Sequence, residues 1–369
     1  MLKSQPSIDL PRTAVDEQAV SGESTTVLQV PRGAQDSSHG RKPVGKYAEG
    51  LQVPRGAQEY RAAENVRGSA GAAPHRGPDV TADPAVAHKN VLTIDLEDWI
   101  QSVYDHDHPL TDCFRKNTHQ VLELLDRCST RATFFVLGLA AEKAPVLIRE
   151  VQAAGHEIQS HGYGHRLVHR QSPSEFRDDV HRAKRLLEDI TGREVAGYRA
   201  PAFSIGPRTP WALDVLAECG HRWDSSLFPV RTRRYGSFRN RPFPHVVTTV
   251  GGNRIAELPV ASFRFGPVRL PIGGGGYLRL LPASYFCRGI RQLNDAGHPA
   301  VLYVHPYEFA PEEFGELPLR IPRLTRLAQG LGRGRLPGRL ARILSEFRFG
   351  RASEMLSCYV FPSCPVTRR

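Results

Sequence analysis

The sequence predicts an α/β fold built on parallel strands, either a barrel or a doubly wound sheet, that starts at Asn90 after a long lead. Three observations carry this expectation. From Asn90 onward, short β-rich apolar runs alternate with segments whose apolar residues recur at helical spacing. Asp95, His161, Arg199, Asp224 and His305 each fall at or just past the C-terminal end of a separate predicted strand, the rim that carries chemistry in β/α barrels. Residues 1–89, by contrast, are rich in Gly, Ala, Ser, Pro and charge and show no sustained apolar period, so they read as a disordered extension. Within it the octapeptide Leu-Gln-Val-Pro-Arg-Gly-Ala-Gln occurs twice, at 28–35 and 51–58. Two polar copies are too few to stack as a solenoid and read as a duplicated linker.

In chain order, Val91 to Asp95 is a β-rich run ending in acids, and Cys113 to Arg127 places Phe114, Val121, Leu124 and Leu125 on one helical face. Arg131 to Gly138 predicts a buried strand, and Ala140 to Ala154 a helix stopped by Gly155. His156 to Ser160 returns as strand. Ser174 to Ile190 is an amphipathic helix capped by Ser174 and ended near Gly192. A strand at Val195 to Arg199, a helix from Trp211 to Cys219 and a strand at Arg222 to Asp224 continue the alternation.

The stretch Gln159-Ser-His161-Gly-Tyr-Gly-His165 sets two imidazoles four residues apart directly after a strand. Four residues make about one helical turn, so both rings can reach one side. A divalent ion held by imidazole nitrogen normally takes a carboxylate as well. The run Thr93-Ile-Asp95-Leu-Glu97-Asp98-Trp99 offers a ligand and a base upstream.

The chain of 369 residues is long enough for one large domain or two ordinary ones. It has no apolar run of the ~18 residues a membrane span needs. Its start lacks the order of a signal peptide, so the expectation is a cytoplasmic protein. Six scattered cysteines without a C-x-x-C pair suit reduced thiols, Cys358 and Cys364 being the only close two. Residues 1–88 hold ten Lys or Arg and ten Asp or Glu, so the excess of +11 lies in the remainder. Residues 316–369 carry eleven Arg, no Lys and three acids. Such a basic C-terminal extension attracts an anionic partner. Without interleaved aromatics or a nucleic-acid motif the arginines read first as a solvated helix face, with nucleic acid not expected and acidic polysaccharide or lipid headgroups as the anionic candidates.

Thr93-Ile-Asp-Leu-Glu-Asp98, Thr133-Phe-Phe-Val-Leu-Gly138, His161-Gly-Tyr-Gly-His165, Arg199-Ala-Pro-Ala-Phe203, Asp224-Ser-Ser226 and Tyr303-Val-His-Pro306 stand in this order along the chain. Together they resemble the polysaccharide deacetylases, carbohydrate esterase family 4. Asp95 to Trp99, Gly273 to Arg279, His305 to Phe309 and Phe347-Arg-Phe349 resemble the branch found beside exopolysaccharide and exosortase loci.

This resemblance implies a distorted (β/α)7 barrel over 90–310, with 311–369 packing on it. It also implies hydrolysis of acetamido groups on a sugar polymer or lipid-linked oligosaccharide with one divalent ion, Zn2+ first and Co2+ or Ni2+ as alternatives. His161 and His165 would be ligands, Asp95 the general base held by Arg199, and His305 the acid for the leaving amine, with Asp224 bracing Arg199. A backbone N–H near Tyr163 to His165 would face the oxyanion. The family opens with two adjacent aspartates, whereas Leu96 follows Asp95 here. Strand alternation favours Glu97 as third ligand and a turn starting at Leu96 favours Asp98; Asp98 is preferred, with Glu97 as fallback. Tyr163, Pro201, Phe203 and Tyr277 are the candidate substrate contacts. The alternatives are an O-acetyl esterase, a metal-independent amidohydrolase of a small cyclic amide, and a non-catalytic carbohydrate-binding module. A peripheral position at the inner membrane face would bring a cytoplasmic enzyme to lipid-linked precursors.

Overall fold

The computed structural model describes residues 89–232 and 235–361, all within one compact unit. The long extension with its duplicated octapeptide, and Cys364 with the last arginines, lie outside the described residues.

Eleven strands are described: β1 (Asn90–Leu96), β2 (Thr133–Val136), β3 (Glu157–Ser160), β4 (Gly197–Tyr198), β5 (Trp223–Asp224), β6 (His245–Thr248), β7 (Arg254–Glu257), β8 (Ser262–Phe265), β9 (Val268–Pro271), β10 (Val301–Val304) and β11 (Phe349–Gly350). Seven of them run parallel in the order β10-β1-β2-β3-β4-β5-β7, and β6 pairs antiparallel with β7 at the edge. The sheet curls. Between β7 and β10 it is bridged by single backbone bonds, Ala261 N–H to the Val301 carbonyl at 2.8 Å and Tyr303 N–H to the Gly273 carbonyl at 2.6 Å. The expected distorted barrel of parallel strands is therefore present, and β8 and β9 form a separate hairpin beside it.

Alternation along the strands separates chemistry from packing. In β1 the even residues Leu92, Ile94 and Leu96 join the apolar layer beneath the helices, with Phe134, Val136, Leu302 and Val304 from the flanking strands. The odd residues Thr93 and Asp95 point the other way, into the barrel, where both meet Arg199.

The helices are α1 (Cys113–Arg127), α2 (Gly138–Lys143), α3 (Pro145–Ala153), α4 (Pro173–Thr191), α5 (Ala212–Glu218), α6 (Gly275–Leu280), α7 (Ala283–Asp295), α8 (Glu313–Glu316), α9 (Arg323–Gly330), α10 (Leu336–Glu346) and α11 (Ala352–Cys358). The single helix expected over 140–154 is two, because Pro145 has no N–H to donate and Ala144 leaves helical geometry at φ −138°. The cap of α4 is Ser172 rather than Ser174: its hydroxyl accepts from Glu175 N–H while Glu175 reaches back, and Pro173 fills the first helical position. The C-terminal residues complete the same core. Leu336, Leu340 and Ile343 of α10 share a cluster with Phe286 and Ile290 of α7. β11 pairs with the start of β1, and Ala352 N–H donates to Thr133 Oγ1 at 2.8 Å.

Candidate active site

At the C-terminal ends of the parallel strands lies a cavity of about 480 Å³ lined by Asp95, Glu97, His161, His165, Tyr303 and His305 among others. β1 delivers Asp95 and, just beyond its end, Glu97; β3 delivers His161, and β10 His305. His165 arrives through a turn in which Gly162 (φ 76°) and His165 itself (φ 56°) take left-handed backbone. A Cβ at Gly162 would meet Asp179 Oδ2 at 2.8 Å, the oxygen that accepts the Tyr163 N–H at 2.9 Å. The Tyr163 N–H, one of the donors between Tyr163 and His165 from which an oxyanion contact is expected, is thus engaged in holding the turn.

Glu97, His161 and His165 offer three ligand atoms lying within 4.8 Å of one another, all buried. Glu97 Oε2 stands 3.4 Å from His161 Nε2 and 3.0 Å from His165 Nε2. His161 Nδ1 lies 2.8 Å from the Arg199 carbonyl, which can only accept, so Nδ1 carries the proton and Nε2 presents its lone pair toward Glu97. Glu97 Oε2 is buried without a hydrogen-bond donor. Two lone-pair atoms facing across a dry gap repel unless a cation lies between them, so this donor set fits a divalent ion of the zinc class. Burial works to raise the Glu97 pKa, but His165 and His305 together hold it well below the usual carboxylate value.

Asp98, the ligand preferred from the sequence, is turned away. Its Oδ1 accepts the backbone N–H groups of Ile100 and Gln101 at 3.0 and 3.3 Å. Its Oδ2 takes the Thr111 N–H at 3.0 Å and the Thr111 hydroxyl. The chain stays extended through Leu96 before turning, so Glu97 keeps the face of Asp95 and Asp98 caps the turn at Ile100–Tyr104.

Arg199, wholly buried, donates from Nη1 to Asp95 Oδ1 and to Thr93 Oγ1, both at 2.7 Å, and from Nη2 to Ser225 Oγ at 2.8 Å. Its guanidinium lies over the Phe135 ring at 4.2 Å. Asp224 does not brace it. Alternation in β5 sends Trp223 and Ser225 inward, toward Phe135 and Arg199, and Asp224 outward. There Asp224 accepts from Ser226 Oγ at 2.6 Å and sits in register with Glu257. Burial and the neighbouring Asp224 push the Glu257 carboxyl well up, so this acid pair shares a proton rather than carrying two charges.

His305 has partners on both nitrogens: Nδ1 is 3.2 Å from Glu308 Oε2, and Nε2 is 3.5 Å from Glu97 Oε1. Tyr307 stacks on the ring at 4.7 Å. Burial opposes its protonation, yet Glu308, then Glu97 and Asp95, raise the pKa to about 9. Glu308 is itself 3.4 Å from Arg279 Nε. A Cβ at Gly275 would fall 1.7 Å from Glu308 Oε2, so this glycine lets backbone close over the carboxylate.

Of the expected substrate contacts, Phe203 lines the cavity. Tyr163 does not: it packs under Arg182 at 3.6 Å and its hydroxyl bonds Glu142. Pro201 is buried in the turn Pro201–Phe203, and Tyr277 of α6 packs against the helix-side core. Sequence reading missed His106, Tyr235, His169 and Arg208 on the cavity wall, and Glu308 behind His305. The His305-Pro-x-Glu308 spacing, a capping-box pattern, was the available signal for the last.

Residues 101–223 match the polysaccharide deacetylase family, and residues 225–357 match a domain of unknown function (DUF3473). The first region holds His161, His165 and Arg199; Asp95 and Glu97 precede it, and His305 lies in the second. The chitooligosaccharide deacetylase of Bradyrhizobium sp. (strain ANU 289) is 35% identical over 100 residues, covering 27% of this chain and 43% of that protein. A peptidoglycan deacetylase-like protein of Gibberella zeae is 30% identical over 115 residues, 31% of this chain and 33% of that one. The peptidoglycan-N-acetylglucosamine deacetylase of Bacillus cereus is 30% identical over 84 residues, 23% and 30% of the two chains. The similarity thus spans less than half the length of each relative.

Proposed function

Since residues 101–223 of this chain form a polysaccharide deacetylase domain, we propose that the protein hydrolyses N-acetyl groups on the amino sugars of a polysaccharide, an exopolysaccharide or its precursor being the natural polymer. Glu97, His161 and His165 would hold one divalent ion, Zn2+ before Co2+ or Ni2+. An ion bound there supplies Lewis acidity, polarising an acetamide carbonyl and acidifying a water.

The chain's own residues do the rest. Asp95, aimed by Arg199, accepts the proton of the attacking water while the new C–O bond forms. His305, held protonated by Glu308, donates to the nitrogen as the C–N bond breaks, so the sugar leaves as an amine and acetate remains. Phe203 and Tyr235 give the wall an apolar surface for a pyranose ring.

The observation that supports this reading is that Asp95, paired with Arg199, and His305, paired with Glu308, line the same cavity as the Glu97, His161 and His165 cluster. The test is acetate release from N-acetylglucosamine oligomers by metal-stripped protein, resupplied with zinc or cobalt, beside His161→Ala. Release restored by metal and absent from the variant is the expected result. Protein that takes up no metal overturns the ligand set, and metal-loaded protein inert on N-acetylated oligomers of every sugar offered overturns the activity.

A further inference from the structure

We propose that α9 and the arginines around it form a docking surface for an anionic lipid bilayer. No residue of α9 is buried. Leu324 and Leu327 are 81% and 67% exposed, and Leu331, just past the helix, is 56% exposed. Their spacing of three and four residues puts them in one stripe. Among the described residues nothing packs over this leucine stripe, and the core beneath is closed by Phe314 and Ile321.

The charge around the stripe identifies the occupant. Between Glu316 and Glu346 there are seven arginines and no acid. Arg320, Arg323, Arg326 and Arg335 are exposed, and their side chains make no ion pair or hydrogen bond among the described residues. The nearest acids are already matched, Glu312 and Glu316 by Lys116 at 3.4 and 2.5 Å and Glu313 by the buried Arg333 at 2.5 Å. Exposed leucines fringed by unpaired arginines suit the boundary between acyl chains and anionic headgroups, where each group keeps its preferred medium.

The surface is also firmly joined to the site. Arg333 Nε donates to the Gln329 carbonyl at the end of α9 at 2.9 Å, and Arg279 donates to the same carbonyl. Arg279 Nε is 3.4 Å from Glu308, which holds His305. Tyr307, on the cavity wall, packs in one cluster with Phe314 and Ile321 beneath α9. On the reading of the cavity proposed above, docking through α9 is thus linked by direct contacts to the carboxylate that holds His305.

The test uses the full chain with sedimenting vesicles of phosphatidylcholine alone or with about 30% phosphatidylglycerol. Two triple variants, Leu324→Ser/Leu327→Ser/Leu331→Ser and Arg320→Gln/Arg323→Gln/Arg326→Gln, change exposed positions only and leave α10 and β11 in the core. The protein should pellet with the anionic vesicles, less so as salt rises, and each variant should bind roughly tenfold more weakly at unchanged melting temperature. Equal pelleting with both vesicle types, or variants that bind as the parent does, overturns the proposal. So does a dimer in sedimentation velocity that the leucine variant dissolves while no vesicle binding is seen, which would assign the stripe to a second copy. None of these readouts depends on deacetylase activity.

Discussion

Arg199 Nη1 lies 2.7 Å from Asp95 Oδ1, and both side chains are closed off from solvent. The pair is deep enough that removing one partner strands a charge, which costs about 3–5 kcal/mol in comparable sites. Arg199→Met should therefore lower the melting temperature sharply. Arg199→Lys is the more informative variant. A lysine keeps the charge but lacks the fork that reaches Asp95, Thr93 and Ser225 at once. Its kcat should fall by about 10²-fold or more with metal affinity unchanged; a lysine variant of normal kcat would show that Arg199 does not aim the base.

Glu97 and Asp98 are adjacent acids with different work. Glu97→Ala should abolish binding of zinc or cobalt in a direct titration while leaving the fold intact, since Glu97 Oε2 has no donor to lose. Asp98→Ala should keep metal binding and lose about 1–3 kcal/mol of stability, because the Ile100, Gln101 and Thr111 groups it satisfies are left unpaired. Calorimetric unfolding and metal titration of the two variants separate the roles. Exchange of the two phenotypes would restore Asp98 as the ligand.

The strand alternation that sets Asp95 and Glu97 on one face was legible in the sequence, as were the histidine pair and the order of the strands. What was not legible depended on where each chain segment stops being extended. β1 continues through Leu96, so the turn begins one residue later than Asp98 as a ligand would require. In β5 the same alternation argument, applied to Trp223, would have sent Asp224 outward; its apparent place at a strand end concealed its direction. Tyr277 sits beside glycines as a subsite residue would, but Gly275 makes room for Glu308, and Gly273 and Gly274 for Val260 and Tyr303. Partners brought from distant sequence, such as Ser225 for Arg199, leave no local pattern to read.

The Glu308 carboxylate is the largest favourable influence on a protonated His305, whose pKa it helps lift to about 9. His305 is the proposed acid, so activity should fall as pH rises through its pKa and the imidazole loses its proton. Glu308→Gln removes the negative charge and should move this alkaline limb of kcat to lower pH. A cation at Glu97 acts in the same downward direction on His305, so parent and variant are compared with the same metal bound. Superimposable limbs would mean that His305 is not the group titrating.

Two buried histidines outside the cavity should set the acid stability of the fold. Burial lowers the pKa of His221 to about 3, with Lys184 adding to the effect. Burial followed by Arg131 lowers that of His156 to about 4. His156 is held neutral by its role as acceptor, Nδ1 taking the Ala132 N–H at 3.1 Å. In the unfolded chain both rings titrate near the usual value of about 6.5. Between that value and the folded ones the unfolded state binds more protons, so stability rises with pH there. Their contribution is fully present above about pH 6.5 and is lost progressively as pH falls toward 4 and then 3, a tenfold difference in proton affinity between folded and unfolded ring being worth about 1.4 kcal/mol. His221→Phe preserves a ring against Tyr198, which His221 meets edge-on at 5.6 Å, and removes the titration. Melting temperatures of metal-free parent and variant, measured from pH 7 to pH 4, should fall for both as His156 loses its contribution, and more steeply for the parent. Parallel curves would show that His221 is not excluded from protonation in the fold, and that the acid limit lies with His156 or with the carboxylates.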